Sequence, residues 1–116
     1  MKNILFGTLI CVSLGAHAAS DVWTSAKIDM VFAGYPDESV TFLPIGGAKN
    51  PANCNEPTAY AIPSPYDSKA ALSVLLAAKM ADKPVHFSVR GDICHTIQQT
   101  DVKGITVPVI QRIGVK

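Results

Sequence analysis

The stretch SPYDSKAALSVLLAAKMADKPVHFSVR, residues 64–90, decides the fold, because it predicts one helix followed directly by a strand. Its large apolar side chains recur at helical spacing and predict a stripe that faces a core: Leu72, Leu75, Leu76 and Met80. Ser64 can cap this helix with Pro65 in its first position. Alternatively, the helix begins one turn later with Ser68 as the cap. Pro84 prevents the helix from continuing.

The remaining strands are predicted from alternation of apolar and polar residues. Residues 26–33 place Ile28, Met30 and Phe32 on one face, and after a turn residues 39–43 complete a hairpin. Further strands are predicted around residues 58–62, over 85–90 up to a Gly-Asp turn, and over 105–113. Pro108 lacks a backbone N–H and therefore places the last strand at a sheet edge or a bulge.

The element order is three strands, one helix and two strands. A five-stranded antiparallel barrel with its helix between strands three and four is the oligonucleotide- and oligosaccharide-binding architecture, and it is the fold that we expect. An open α+β sheet packed on the same helix is the alternative.

The first 18 residues have the composition of a secretory signal peptide. A positive start at Lys2 precedes an apolar run, and small residues at Ala16 and Ala18 form a cleavage site. The run of about a dozen residues is too short for a hydrocarbon core that needs about 20. We therefore expect residues 1–18 to be removed, and residues 19–116 to form one domain in the periplasm or the medium.

The cysteines support an oxidising compartment. The chain has three, and Cys11 would leave with the leader. Cys54 and Cys94 are then an even pair in a small exported protein, which favours a disulfide worth about 4 kcal/mol in the chain-entropy model. A reactive thiol or a metal-binding pair are the alternatives.

Charge and hydropathy exclude several classes of partner. The chain carries 10 Lys plus Arg and 9 Asp plus Glu, and loss of Lys2 makes the two counts equal. Without excess positive charge there is no long-range attraction to nucleic acid or to an anionic membrane. No other apolar stretch reaches spanning length, so we expect neither nucleic-acid binding nor membrane insertion.

No residue pattern predicts catalysis. A metal site built from His86, Cys94 and His95 would require a free Cys94, and structural zinc sites normally use four regularly spaced ligands. No serine lies in a nucleophile-elbow motif, and Gly46-Gly47 lacks the Lys-Ser/Thr of a phosphate loop. We expect no enzyme activity, no metal and no cofactor, and the roles of the two histidines stay open.

Two short stretches resemble a known family. Val22-Trp23-Thr24 with a first strand ending at Gly34, and the long helix running into Lys83-Pro84-Val85-His86-Phe87, are similar to the B subunits of subtilase cytotoxin and typhoid toxin. The similarity extends loosely over residues 23–89. It is closer to small bacterial secreted proteins resembling those subunits than to the toxins, which are richer in cysteine and aromatic residues.

The resemblance implies a barrel of the class described above, assembly into a ring of five subunits, an A-subunit-like partner and binding of sialylated cell-surface glycans. In the family a hydroxyl-bearing residue at the start of the first strand contacts the sugar, and Thr24 or Ser25 matches it by position. Trp23 beside them could stack on a sugar or plug one end of the barrel. The alternative function is a monomeric periplasmic or secreted protein that binds or inhibits another protein and has no glycan ligand.

Overall fold

The computed structural model describes residues 20–98 and 103–116. The predicted signal peptide therefore lies outside the described residues. The elements in chain order are β1 Val22–Ala26, β2 Ile28–Phe32, β3 Val40–Pro44, β4 Tyr60–Ile62, α1 Ser68–Met80, β5 Val85–Thr96 and β6 Thr106–Val115. The prediction of a mainly β domain with one helix is confirmed within this part of the chain.

The six described strands form one mixed sheet in the order β1-β5-β6-β4-β3-β2. Neighbours run antiparallel except β4 and β6, which are parallel and share the pair Ala61 and Val109. The expectation of a five-stranded, fully antiparallel, closed barrel is therefore wrong. There are six strands and not five because a further strand, β1, precedes the first predicted strand. The sheet is not closed because no ladder within the described residues joins β1 to β2.

The two edges of the sheet nevertheless meet at one residue. β1 ends at Ala26 and β2 begins at Ile28, so Lys27 alone separates them. A flat sheet of six strands would place its edges about 24 Å apart at about 4.8 Å per strand, whereas two residues of chain span about 7 Å. The sheet must therefore curl strongly around its inner face.

The helix begins at Ser68 and is capped by Asp67, whose side chain accepts a hydrogen bond from the Ala70 N–H at 3.0 Å. Neither Ser64 nor Ser68 is the cap. Ser68 instead donates its hydroxyl hydrogen to the Glu38 carbonyl at 2.9 Å and is buried. The helix thereby starts one turn after the proline and is anchored to the turn between β2 and β3.

The buried face of α1 is narrower than the predicted stripe. Ala71, Leu75 and Ala78 are buried, whereas Leu76 is 47 % exposed and Met80 is 88 % exposed. Ala71, Leu75 and Ala78 are four and three residues apart and share one side of the helix, whereas at about 100° per residue Leu76 and Met80 lie on a neighbouring side. The prediction that Leu76 and Met80 face the core is wrong.

An irregularity in β2 changes which of its side chains face the core. Ile28 pairs with Pro44 and Met30 with Leu43, so β2 holds one extra residue at Asp29. Such a bulge shifts the alternation by one residue beyond it. Ile28 is buried and Val31 packs against the core, but Met30 and Phe32, predicted to face inward, are exposed.

The hairpin of β5 and β6 is longer than predicted. β5 continues to Thr96 because the Gly-Asp pair, expected to form a turn, lies in a register shift between Val89 and Cys94. β6 lies between β5 and β4, so it is not an edge strand. Pro108 is tolerated there because it lies opposite Cys94, directly after the irregular stretch.

Cys54 and Cys94 form a disulfide with their Cα atoms 5.7 Å apart. Cys54 lies in the segment between β3 and β4, and Cys94 lies in the distal half of β5. The bond therefore links the two regions of the chain that flank the helix.

None of the helices in residues 20–98 and 103–116 is both long and apolar enough to cross a bilayer.

Leu75 and Leu76 provide a direct test of the helix orientation. Leu75 is completely buried whereas Leu76 is 47 % exposed. We expect Leu75→Ala to lower the free energy of unfolding by about 2–5 kcal/mol, because it leaves a cavity in the core. Leu76→Ala, the matched control, should change it by less than about 1 kcal/mol. Urea unfolding followed by circular dichroism measures both, and equal losses would contradict the orientation.

Candidate functional site

The outer face of β1 carries two of the three residues predicted to contact a glycan. Alternation along the strand leaves Val22, Thr24 and Ala26 half-buried, while Trp23 and Ser25 are exposed. Thr24 pairs with the core residue Phe87, so it lies on the opposite face of the sheet. The structure thus brings Trp23 and Ser25 to one surface and separates Thr24 from them.

Polar residues of β5 and β6 extend this surface. Trp23 is in register with Ser88, which in turn pairs with Gln111 of β6. Ser25 is in register with His86, and His86 pairs with Gly114. Paired residues of antiparallel strands lie on the same face. We define the outer face as five side chains, of which Ser88 is buried and the others reach solvent: Trp23, Ser25, His86, Ser88 and Gln111.

Gly114 widens the outer face beside His86. A side-chain carbon added at Gly114 would meet nothing within 4 Å, so there is open space above this position. His86 is half-buried and reaches the surface next to that space. The outer face therefore has an indole at one end, an open position at the other, and hydroxyl, imidazole and amide groups between them.

Asp21, which precedes β1, fixes the end of this strand to the sheet. Its Oδ1 accepts a hydrogen bond from the Gly91 N–H at 3.0 Å, and its Oδ2 accepts one from the Gln111 side-chain amide at 3.1 Å. β1 is an edge strand, so these bonds from β5 and β6 restrain it beyond its own ladder. Asp21 also sets the position of Gln111, a member of the outer face.

Arg90, in β5 next to Gly91, is the centre of a second group of hydrogen bonds near the start of β1. Its guanidinium donates to both carboxylate oxygens of Asp92, at 3.0 and 2.7 Å, and to the Tyr66 hydroxyl. The bidentate hydrogen bond raises the pKa of Arg90 and lowers that of Asp92. Arg90 thereby connects the irregular stretch of β5 to the turn before the helix, and its donors are used structurally.

The sequence reasoning did not identify Asp21 and Gln111, and it left the role of His86 open. A signal for β1 was present, since Val22, Trp23 and Thr24 are β-branched or aromatic residues that favour strands. Once β1 is recognised as a strand that pairs with β5, alternation alone places His86 on the same face as Ser25. The contribution of Gln111 depends on the β6 register, which carries no local sequence signal.

Cys94 and His95, the other residues considered for a metal site, make structural contacts instead. Cys94 is bonded to Cys54, so its sulfur is not a thiolate ligand. His95 Nε2 lies 3.2 Å from the Asp37 carboxylate, and this nitrogen is buried without a well-aligned hydrogen bond among the described residues. In residues 20–98 and 103–116, no three His, Cys, Asp or Glu side chains are grouped so as to hold a metal ion.

Asp37 ties the turn between β2 and β3 to the distal half of β5. Its Oδ1 accepts hydrogen bonds from the Ser39 hydroxyl at 2.6 Å and the Ser39 N–H at 3.1 Å, and its Oδ2 faces His95. Burial raises the pKa of Asp37, but the two bonds from Ser39 and the nearby His95 lower it overall. The ionised carboxylate is thus favoured in the folded protein.

No protein family, no curated protein and no solved structure matches this chain.

The lowered pKa of Asp37 predicts acid sensitivity. A carboxyl group whose pKa is lower in the folded state stabilises the protein above its unfolded value of 3.8, and this stability is lost as the pH falls through the folded pKa. We expect the free energy of unfolding to fall below about pH 4. Asp37→Asn should flatten that fall, which urea unfolding between about pH 2.5 and 5 measures.

Ser39→Ala tests how much the hydroxyl hydrogen bond, as distinct from the interaction with His95, lowers the pKa of Asp37. It removes the hydroxyl donor but leaves both the Asp37 carboxylate and His95 in place, so it should flatten the pH dependence only in part. If neither substitution changes the acid slope, the pKa of Asp37 does not differ between the folded and unfolded states.

Proposed function

We propose that this chain is an exported, non-catalytic recognition module that binds cell-surface glycans through the outer face. We further propose that it resembles toxin B subunits in assembling into a ring and in having an A-subunit-like protein as a further partner. The observation that carries the glycan proposal is the position of Trp23, which is 61 % exposed on the outer face of an edge strand.

An exposed indole on a strand is suited to a sugar. The ring face carries negative charge density, and the apolar C–H face of a pyranose can pack on it. Trp23 does not plug the core, because its neighbour Thr24 and not Trp23 lies on the core-facing side of β1. Its large apolar surface therefore stays available for a ligand.

The polar members of the outer face complement the indole. Sugars are recognised by a few fixed hydrogen-bond donors and acceptors beside an apolar surface. Ser25 supplies a hydroxyl and His86, its partner in register, an imidazole, one pair along from Trp23 on the same face. Gln111 supplies an amide on β6, in register with Ser88, the partner of Trp23. Because Asp21 holds the Gln111 amide, part of this surface is organised before a ligand arrives.

The strand arrangement also agrees with this class of binder. If β1 and β2 are counted as the two halves of one strand that bends at Lys27, five strands remain and the helix lies between the third and the fourth. That is the order expected for the oligosaccharide-binding architecture. The curl of the sheet supports this interpretation, although β1 and β2 belong to separate ladders.

Exposed apolar side chains support self-association. The edge strand β2 presents Met30 and Phe32, and α1 presents Leu76 and Met80, all more than a third exposed. An unpaired strand edge with apolar side chains is a template for pairing with another chain. We assign these surfaces to the ring, because β6 lies inside the sheet and offers no free edge.

Substitutions on β1 test the glycan site. We expect the full chain, recovered after export, to bind sialylated or neutral glycans on an array, and Trp23→Ala to weaken binding at least about tenfold, which is about 1.4 kcal/mol. Ser25→Ala should weaken it less, and the inward-facing Thr24→Ala should have little effect.

Ile45→Ala is the matched control, since Ile45 is equally exposed, at 60 %, but lies in the turn after β3. It should leave glycan binding unchanged. Absence of binding to every glycan at high protein concentration would reject the site and favour the alternative of a module that binds another protein.

The mass in solution tests the ring. Light scattering coupled to size exclusion should give about five times the monomer mass, because the family resemblance implies a pentamer. Met80→Lys and Phe32→Lys should release monomers by placing charge at the contacts, whereas Ile45→Lys should not. A monomer mass for the unmodified protein at all concentrations would contradict self-association.

A further inference from the structure

A groove lies between the N-terminal half of α1 and β6, and Gln111 of the outer face is one of the residues that line it. It is open to solvent on one side and has a volume of about 510 Å³. The helix contributes Ala70, Ala71 and Val74 to its wall, and β6 contributes Ile110 and Ile113. The alanines leave the space open, because larger side chains at these positions would fill it. The groove is therefore a preformed apolar slot with a size typical of small-molecule sites.

Arg112 lies at the rim of this groove and has a strained backbone conformation. Arg112 lines it and has a φ of 54°, in the left-handed region that side chains other than glycine rarely adopt. The cause is a bulge, since His86 pairs with Gly114 and Ser88 with Gln111, which leaves one extra residue on β6. Bulges of this geometry usually place glycine at the left-handed position.

The side chain of Arg112 is exposed, and within the described residues no carboxylate forms an ion pair with it. The backbone strain is thus not offset by a structural contact of the guanidinium. Strain that persists at one residue beside a cavity is a recognised feature of ligand sites.

The other polar groups along the groove are already engaged. Asp67, the one carboxylate in the lining, accepts the capping hydrogen bond from the Ala70 N–H at the helix N-terminus, where the positive end of the helix dipole offsets part of its charge. The Tyr66 hydroxyl accepts from Arg90. The Gln111 amide donates to Asp21. The guanidinium of Arg112 is consequently the group at this rim that is best placed to recognise a ligand, and it would recognise an anion.

We propose that this groove binds a small amphipathic carboxylate, with its aliphatic chain against the alanine and isoleucine walls and its carboxylate on Arg112. The apolar walls select a chain without polar substituents, and the cation selects an anionic head over a neutral or positive one. Gln111 lies in the lining of this groove and in the outer face, but the alanine and isoleucine walls and Arg112 belong to the groove alone, so this proposal does not depend on the glycan proposal.

Decanoate is the probe, used below micelle-forming concentrations and followed by amide chemical shifts and calorimetry. Shifts should be largest at Ala70, Ala71 and Ile113. Decyltrimethylammonium, which has the same chain with a cationic head, should bind at least about fivefold more weakly, because it lacks attraction to Arg112.

Variants separate the apolar slot from the cation. Ala70→Leu should fill the groove from an exposed helix position and weaken decanoate binding at least about tenfold. Arg112→Gln should weaken it about fivefold. Lys69→Gln, which removes a charge from the same helix outside the groove, is the matched control and should leave the affinity unchanged.

Arg112→Gly distinguishes lost binding from lost folding. Glycine accepts the left-handed conformation, so this variant should unfold at a higher temperature and still bind decanoate more weakly. The proposal is overturned if decanoate causes no shifts at saturating concentration, if Ala70→Leu and Arg112→Gln bind like the unmodified protein, or if the cationic probe binds equally well.

Discussion

The sheet has two halves, β1, β5 and β6 on one side and β2, β3 and β4 on the other. The packing of Phe42, Tyr60 and Phe87 holds these halves together. Each ring comes from a different strand, β3, β4 or β5, and their centroids lie 4.8–5.5 Å apart in tilted or edge-to-face arrangements. Such contacts add about 0.5–1.5 kcal/mol per pair beyond the burial of the rings. All three are essentially inaccessible to solvent and lie in the same cluster as the buried face of the helix.

This cluster matters because the hydrogen-bonded link between the halves is short. β1, β5 and β6 form one set of ladders and β2, β3 and β4 another, and the parallel pair Ala61 and Val109 joins them. The disulfide supplies a covalent connection between the same halves, from the segment before β4 to β5. The curl of the sheet, and with it the exposure of β1 at an edge, depends on these few contacts across the core.

Bulges determine which side chains are available for binding. In β2 the extra residue at Asp29 turns Met30 and Phe32 outward, and in β6 the extra residue places Arg112 in a left-handed conformation beside the groove. In β5 the irregular stretch after Val89 lets Arg90 reach both Asp92 and the turn before the helix. The outer face and the groove both include residues next to the bulge in β6.

The sequence by itself determined the helix, most strand positions and the pairing of Cys54 with Cys94, because these follow from local periodicity, from proline and from cysteine count. It also determined that a tryptophan stands at the start of the β region. The tertiary structure decided that Leu76 and Met80 face outward, that Thr24 faces the core, and that His86 and Gln111 share a face with Trp23. These outcomes depend on strand register, on bulges and on which side of the helix packs on the sheet, and such long-range packing leaves no pattern in a local stretch of sequence.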